Sequence, residues 1–325
     1  MSEHRGVWVY SENADLMLEL LTKAVELASK LKTEAAVVVV GHEVRARAEQ
    51  FASFGADRVY VVDHAALKVF NSETYLSALT SLVRERKPEI ILFGSTRKGR
   101  ELAARLATRF AVGCVPDCSS LGLDEGGRLV SERVVYGGSA LATHVFQIKP
   151  QIACVPSRTF ERAKQTEKKA EIVDVSIGQF DAPRTETVEV KPLESGGGKL
   201  EEARVVVVGG RGVEKQEDFK VLESLCYTLG GQVGYTRPLA EDRKWFKGDW
   251  IGLSGIKIKP MLYIGCGVSG VIQHVAGIRD SQVIVAINKD EQAPIFEMAD
   301  YIVIGDLYEI IPALEAALKK LLAPS

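Results

Sequence analysis

Apolar positions in the first third of the chain switch between two periods. Short continuous runs at 7–10, 35–40, 59–62 and 89–93 have the length of buried strands. Between the first two, Leu16, Leu20, Leu21, Val25, Ala28 and Leu31 fall on one face of a helix. Further helices are expected over 46–54, 74–86 and 99–110. Such βα repetition implies right-handed crossovers and a doubly wound parallel sheet. From 121 to 160 the pattern changes to extended runs at 128–135, 141–148 and 152–156, with glycine pairs between the first of them. These read as an antiparallel appendix.

A polar stretch and a strand-like run at 172–177 follow, and then Pro183, Pro192 and the triplet Gly196-Gly197-Gly198. Low hydrophobicity and three successive glycines mark a linker at 186–200, dividing a first domain (1–185) from a second (201–325). The second domain restarts with a strand at 204–208 that ends on Gly209-Gly210-Arg211-Gly212. A helix over 217–229 and a strand at 233–235 deliver Thr236-Arg237-Pro238. Another strand, 261–264, runs into Gly265, Gly267 and Gly270 at G-x-G-x-x-G spacing, with Val268 and Ser269 inside the turn. A helix is expected through Val271, Ile272, Val275 and Ile278, then a strand at 283–287 ending on Asn288. Strand 301–304 ends on Gly305-Asp306, and a closing helix is expected near Ile311 with Pro312 in its first turn.

Composition adds mainly exclusions. With 46% apolar and 26% charged residues the chain has the balance of a water-soluble globular protein. A formal net charge of −2, from 41 basic and 43 acidic side chains, gives no footprint for nucleic acid or an anionic membrane. No apolar stretch approaches spanning length, so no direct membrane insertion is expected. Five cysteines without a C-x-x-C pair read as reduced thiols of a cytoplasmic protein, and five scattered histidines argue against a metal site.

The strand–glycine turn–strand unit at 261–288 has two readings. Glycines at this spacing let a backbone approach a pyrophosphate, or simply pack a helix on a sheet. Asn288 stands where a ribose-binding acid would, so NAD is not the first choice. Gly94-Ser95-Thr96 likewise reads as a phosphate turn or a helix cap. Arg237 reads as a ligand contact or a surface ion pair, and His274 as a ligand contact or a cap. Asn288 and Asp306 suit either a ligand or turn capping, and Cys266 reads as small buried packing. No Ser–His–Asp order or paired carboxylates suggests hydrolysis.

The motifs GGRGV (209–213), TRP (236–238), GLSG (252–255), GVSGVIQH (267–274), AINKD (286–290), APIFEMADY (293–301) and GDL (305–307) resemble the FAD domain of the electron transfer flavoprotein alpha-subunit family. The resemblance extends into the first domain through 94–110 and 134–144. It implies two Rossmann-like α/β domains, the first nucleotide-hydrolase-like without a cofactor and the second holding one FAD. It also implies a heterodimer with an electron transfer flavoprotein beta subunit, dehydrogenase donors, and a quinone reductase or ferredoxin acceptor. Carried over by residue, Arg211 and Ser269, the latter within the Gly267–Gly270 turn, would meet the pyrophosphate, with Gln273 nearby. Thr236 and Arg237 would lie at the flavin and ribityl side, Ser254 toward N5, and His274 at the pyrimidine end. Asn288 and Asp306 would hold the adenosine half, and Leu307 would be a further cofactor contact. Gly252 and Leu253 form the loop beside the ring, where Leu253 replaces the usual glutamine and Thr236 the usual serine. The resemblance implies an electron carrier. The alternatives are a flavin oxidoreductase with its own substrate pocket, for which Ser254 is a poor acid or base, and a nucleotide-binding regulatory module.

Overall fold

The computed structural model describes residues 4–178, 180, 182–191, 200–248 and 250–322. The chain divides into two compact units, Met1–Lys191 and Pro192–Ser325. The division falls inside the expected linker 186–200, whose glycine triplet lies outside the described residues.

The first unit opens with β1 (Val7–Tyr10), α1 (Ala14–Leu31), β2 (Ala35–Gly41), α2 (Arg45–Phe51), β3 (Arg58–Asp63), α3 (Ser72–Arg86), β4 (Ile90–Gly94) and α4 (Arg97–Arg109). It continues through β5 (Cys114–Val115), β6 (Ser120–Leu123), β7 (Leu129–Val135), β8 (Ala140–Val145), β9 (Gln151–Val155) and β10 (Glu171–Asp174). Seven strands form a parallel sheet in the order β10-β3-β2-β1-β4-β9-β5, and β6-β7-β8 form a separate antiparallel sheet. One expectation needs correction. The run expected at 152–156 is not part of the antiparallel appendix: as β9 it lies between β4 and β5, buried at every position. Burial on both faces is what a continuous apolar run in a parallel sheet requires. The strand-like run at 172–177 is a strand in its first part: β10 adds to the sheet edge beside β3. At Gly94-Ser95-Thr96, Thr96 Oγ1 accepts from the Gly99 amide at 2.9 Å, so this turn is a helix cap.

The second unit contains β11 (Val205–Gly209), α5 (Phe219–Leu229), β12 (Gln232–Tyr235), α6 (Arg237–Glu241), β13 (Leu262–Cys266), α7 (Ile272–Val275), β14 (Val283–Asn288), β15 (Tyr301–Ile304) and α8 (Leu307–Leu322). Its sheet is parallel throughout, in the order β12-β11-β13-β14-β15. Alternate residues face opposite layers. Val207, Ile264 and Ile287 pack under α5 and α8, whereas Val206, Val208 and Tyr263 pack under the irregular segments carrying Ile251, Ile258, Ile278 and Ile295.

Two helices differ from expectation. The helix after the glycine turn is four residues long and breaks into turns by Ala276. Val271, Ile272 and Val275 are β-branched and disfavour helix, and Gly277 abuts Gly252, where a Cβ would come 2.6 Å from the Gly252 nitrogen. The closing helix begins at Leu307, four residues early, because the Asp306 carboxylate accepts from the Tyr308 amide at 2.8 Å. Pro312 therefore lies inside the helix, not in its first turn.

Candidate functional site

In the second sheet β12 lies to one side of β11 and β13 to the other, so the strand order reverses between β11 and β13. A crevice at such a reversal, beyond the carboxyl ends of the strands, is where doubly wound folds bind ligands. The segments leaving these two strands are 210–213 and 267–271, and they are tied together. Gly210 donates to the Cys266 carbonyl at 2.9 Å and Gly212 to the Gly267 carbonyl at 2.9 Å. A Cβ on Gly212 would lie 2.7 Å from the Gly267 Cα, so the contact is backbone against backbone.

The 267–271 turn has an unequal distribution of partners. Three of its carbonyls, those of 267–269, are used: Gly267 O by Gly212, Val268 O by the Asn288 side chain at 2.9 Å, and Ser269 O by the Ile295 amide at 3.0 Å. The amides of Val268, Ser269, Gly270 and Val271 donate to no acceptor among the described residues. Val268 and Gly270 are nevertheless buried residues. Buried backbone donors are nearly always paired. A run of amides without protein acceptors, with Gly267 at φ +64° and the carbonyls of 267–269 bonded elsewhere, suits an anion. The residues present therefore fit a pyrophosphate, through the turn itself and not through the start of a long helix.

The other expected residues lie on segments that follow the carboxyl ends of this sheet's strands or that bond to those segments. Arg211 is exposed on the 210–213 segment. Leu253 donates to the Gln273 carbonyl at 2.7 Å, which seats the Gly252–Ser254 loop on the segment after the glycine turn. Thr236 is buried and donates through its amide to the Gly209 carbonyl at 3.1 Å. Arg237 is exposed, 5.7 Å over the Trp250 ring, and its Nε donates to Glu241 at 2.5 Å. The Trp250 indole donates to Ser254 Oγ at 3.3 Å. Leu307 is buried, and its side chain approaches Gly267 from the start of α8. Asn288 and Asp306 each perform local work: Asn288 Oδ1 accepts from the Asp290 amide at 3.0 Å, and Asp306 caps α8.

His274 departs most from expectation. It is 4% exposed, and both ring nitrogens are used inside the unit: Nδ1 lies 3.1 Å from the Ile251 carbonyl and Nε2 2.8 Å from Tyr263 Oη. A carbonyl only accepts, so Nδ1 carries the hydrogen and Nε2 accepts from the tyrosine. Burial drives the ring's pKa down to about 4. At neutral pH His274 is a neutral buried tie, and it supplies no positive charge. Cys266, packed beneath the turn, has its thiol pushed up to about 12 by burial, in keeping with a packing role.

Three residues of the site escaped the sequence reading. Tyr263 had a signal, since a tyrosine within a buried strand needs a partner for its hydroxyl. Tyr308 donates to Asp218 at 2.6 Å and accepts from the Glu214 amide at 2.9 Å, joining the start of α8 to the segment after Gly212. Arg243 bonds to carbonyls of 211–214, and no periodicity or spacing marks it. Among the described residues, no group of three or more His, Cys, Asp or Glu side chains is arranged to hold a metal ion, and no helix is long and apolar enough to cross a membrane.

Comparison with known proteins gives a consistent picture. The electron transfer flavoprotein domain family matches residues 7–179, and the electron transfer flavoprotein FAD-binding domain family matches 199–279. The electron transfer flavoprotein subunit alpha of Thermoanaerobacterium thermosaccharolyticum is 39% identical, over 99% of this chain and 100% of its own length. Protein FixB of Azorhizobium caulinodans is 37% identical over 99% of this chain and 90% of its own. The LctC subunit of an NAD(+)- and ferredoxin-linked lactate dehydrogenase from Acetobacterium woodii is 35% identical, over 96% of this chain and 77% of its own length.

Proposed function

The chain belongs to the electron transfer flavoprotein alpha-subunit family, and from that premise we propose that it binds FAD in the crevice of its second unit and pairs with a beta subunit to carry electrons between dehydrogenases and an acceptor. The observation that carries the reading is the run of four amides at 268–271 without an acceptor among the described residues, on a turn whose 267–269 carbonyls are held. FAD, when bound, supplies the one- and two-electron chemistry. The protein's part is to hold and orient it. The 268–271 amides and Arg211 take the pyrophosphate, with Gln273 beside them. Asn288, Asp306 and Leu307 bound the adenosine side, while Thr236, Arg237 and the Gly252–Ser254 loop bound the ring side. His274, neutral and tied to Tyr263, fixes the floor of the ring side through Ile251.

The donor is a dehydrogenase of the acyl-CoA type, or NADH acting through the beta subunit. The acceptor is a membrane quinone reductase or ferredoxin, and the name of the LctC relative makes ferredoxin the first to test. The test is co-expression with the beta subunit and extraction of bound flavin. One FAD together with AMP supports simple transfer, and two FAD support bifurcation. A heterodimer purified without flavin, and unable to take it up, would overturn the reading.

The Arg237–Glu241 pair sets a further expectation. A cation at the ring side favours the reduced, more negative flavin, but Glu241 at 2.5 Å offsets most of that field. Arg237→Ala should therefore lower the reduction potential, and Glu241→Gln should raise it. Exposed pairs are worth about 0.2–1 kcal/mol, which for a two-electron couple is on the order of 10 mV. A potentiometric titration in which both variants move the midpoint the same way would remove Arg237 from the ring side.

A further inference from the structure

The segment 210–214 carries Arg211 into the crevice, and Val213 is its one fully buried side chain, in the core with α5 and α8; two of its five residues are glycine and Arg211 is exposed. Further ties come from elsewhere. Arg243, more than 30 residues along the chain from Arg211 and beyond α6, directs its guanidinium at the segment's carbonyls. Nη2 donates to Arg211 O at 3.1 Å, and Nη1 donates to Val213 O and to Glu214 O, the latter at 3.2 Å. The guanidinium lies 4.6 Å over the Trp245 ring, and Trp245 in turn meets Phe219 edge-on at 6.5 Å. On the other side, Tyr308 Oη accepts from the Glu214 amide at 2.9 Å.

We propose that Arg243 is a positioning residue of the cofactor site: seated on Trp245 and bonded to three carbonyls, it sets the backbone of 211–214 so that Arg211 stands beside the 267–271 turn. The geometry suits arginine alone. A planar fork can serve three carbonyls from one rigid group while stacking on an indole, whereas a lysine ammonium is a point donor on a flexible stem. Drawing the carbonyls toward Arg243 also keeps them from facing a phosphate. With Gly210 and Gly212 tied by their amides to Cys266 and Gly267, the segment is held from both sides.

This inference rests on the FAD reading, and its test separates the two. Arg243→Lys and Arg243→Ala are made in the full chain with its beta subunit. Amide hydrogen exchange at 212–214 and the rate of FAD release are then measured on each heterodimer. Loss of one charge-assisted contact corresponds to roughly a tenfold change. Exchange at 212–214 should quicken by at least that factor in both variants, exchange in β11 should stay unchanged, and FAD release should accelerate roughly tenfold. Millimolar ethylguanidinium should restore FAD retention to Arg243→Ala and not to Arg243→Lys. Unchanged exchange in Arg243→Lys overturns the clamp. Faster exchange with unchanged FAD release overturns its role in the cofactor site. If the wild-type heterodimer holds no FAD, the exchange measurement still decides the clamp, while the FAD reading falls separately.

Discussion

Gly270→Ala should purify without FAD and should melt well below the wild-type protein. Gly270 has φ +85°, a left-handed conformation in which an alanine costs about 1–2 kcal/mol. The added Cβ would lie 2.2 Å from the Ile295 nitrogen and 2.4 Å from its Cα, so backbone, and not a side-chain tip, would have to move. That movement would break the Ile295 N–H to Ser269 O bond of 3.0 Å, worth about 1 kcal/mol, and release one of the carbonyls that keep the turn's amides facing outward. The combined loss should reach about 3 kcal/mol or more, in the range of severe single substitutions. Gly230→Ala is the matched control. Gly230 caps α5 with φ +63° and has open space where its Cβ would go, so it carries the conformational cost alone. Melting curves and FAD content of the two variants separate strain from clash. Equal melting points, or full flavin in Gly270→Ala, would show that the turn tolerates a side chain and would remove its assigned role.

The same glycine shows how far the sequence could be read. Spacing placed the turn correctly between β13 and β14, and apolar runs located all five strands of the second sheet; β11 and β13 are buried parallel strands that leave a continuous apolar record, whereas β15 is mostly exposed. The glycine spacing allows two readings, approach to a ligand or packing of a helix on a sheet. In the structure Gly267 and Gly270 admit the protein's own backbone at Gly212 and Ile295, contacts between segments far apart in the chain that local pattern does not encode. Helix α7 is shorter than its pattern implies for a related reason: an amphipathic pattern runs on to Ile278, but β-branching and the Gly277–Gly252 contact end it after four residues. The first unit's β9 was misplaced because its neighbours in sequence form the antiparallel sheet, whereas its partners β4 and β5 precede that sheet. Arg243 left no trace at all. A side chain that acts on carbonyls of a distant loop has no periodicity, and its residue type is that of any surface cation.

The second large effect expected concerns acid stability, and it turns on His274. With its folded pKa near 4 and an unfolded value of 6.5, the unfolded chain takes up a proton over a range where the folded unit does not. Stability from this residue is therefore full above about pH 6.5, falls as pH drops toward 4, and is lost below that. At 1.36 kcal/mol for each unit of separation, the whole loss is about 3 kcal/mol. The structure gives the cause. A protonated ring would carry a second N–H toward Tyr263, and would stand at 4% exposure with no carboxylate bonded to it. Carboxylates elsewhere also titrate in this window. Glu315 and Glu73 are held below the ordinary carboxylate range by hydrogen bonds, so they too lose stability on acidification, and Glu19, raised by burial, acts in the opposite sense. The His274 contribution is isolated by comparison with His274→Gln, which keeps hydrogen-bonding capacity but does not titrate. Trp245 and Trp250 report the second unit, with Trp8 in the first, and urea unfolding followed at Trp245 and Trp250 gives its stability. At pH 7.5 the wild type should be the more stable, and its advantage should shrink by about 2 kcal/mol by pH 5. Tyr263→Phe, which leaves Nε2 buried without a donor, should cost about 1–3 kcal/mol at pH 7.5. A wild-type advantage over His274→Gln that is constant between pH 7.5 and 5 would mean that His274 titrates normally, and the buried Tyr263–His274–Ile251 tie would be wrong.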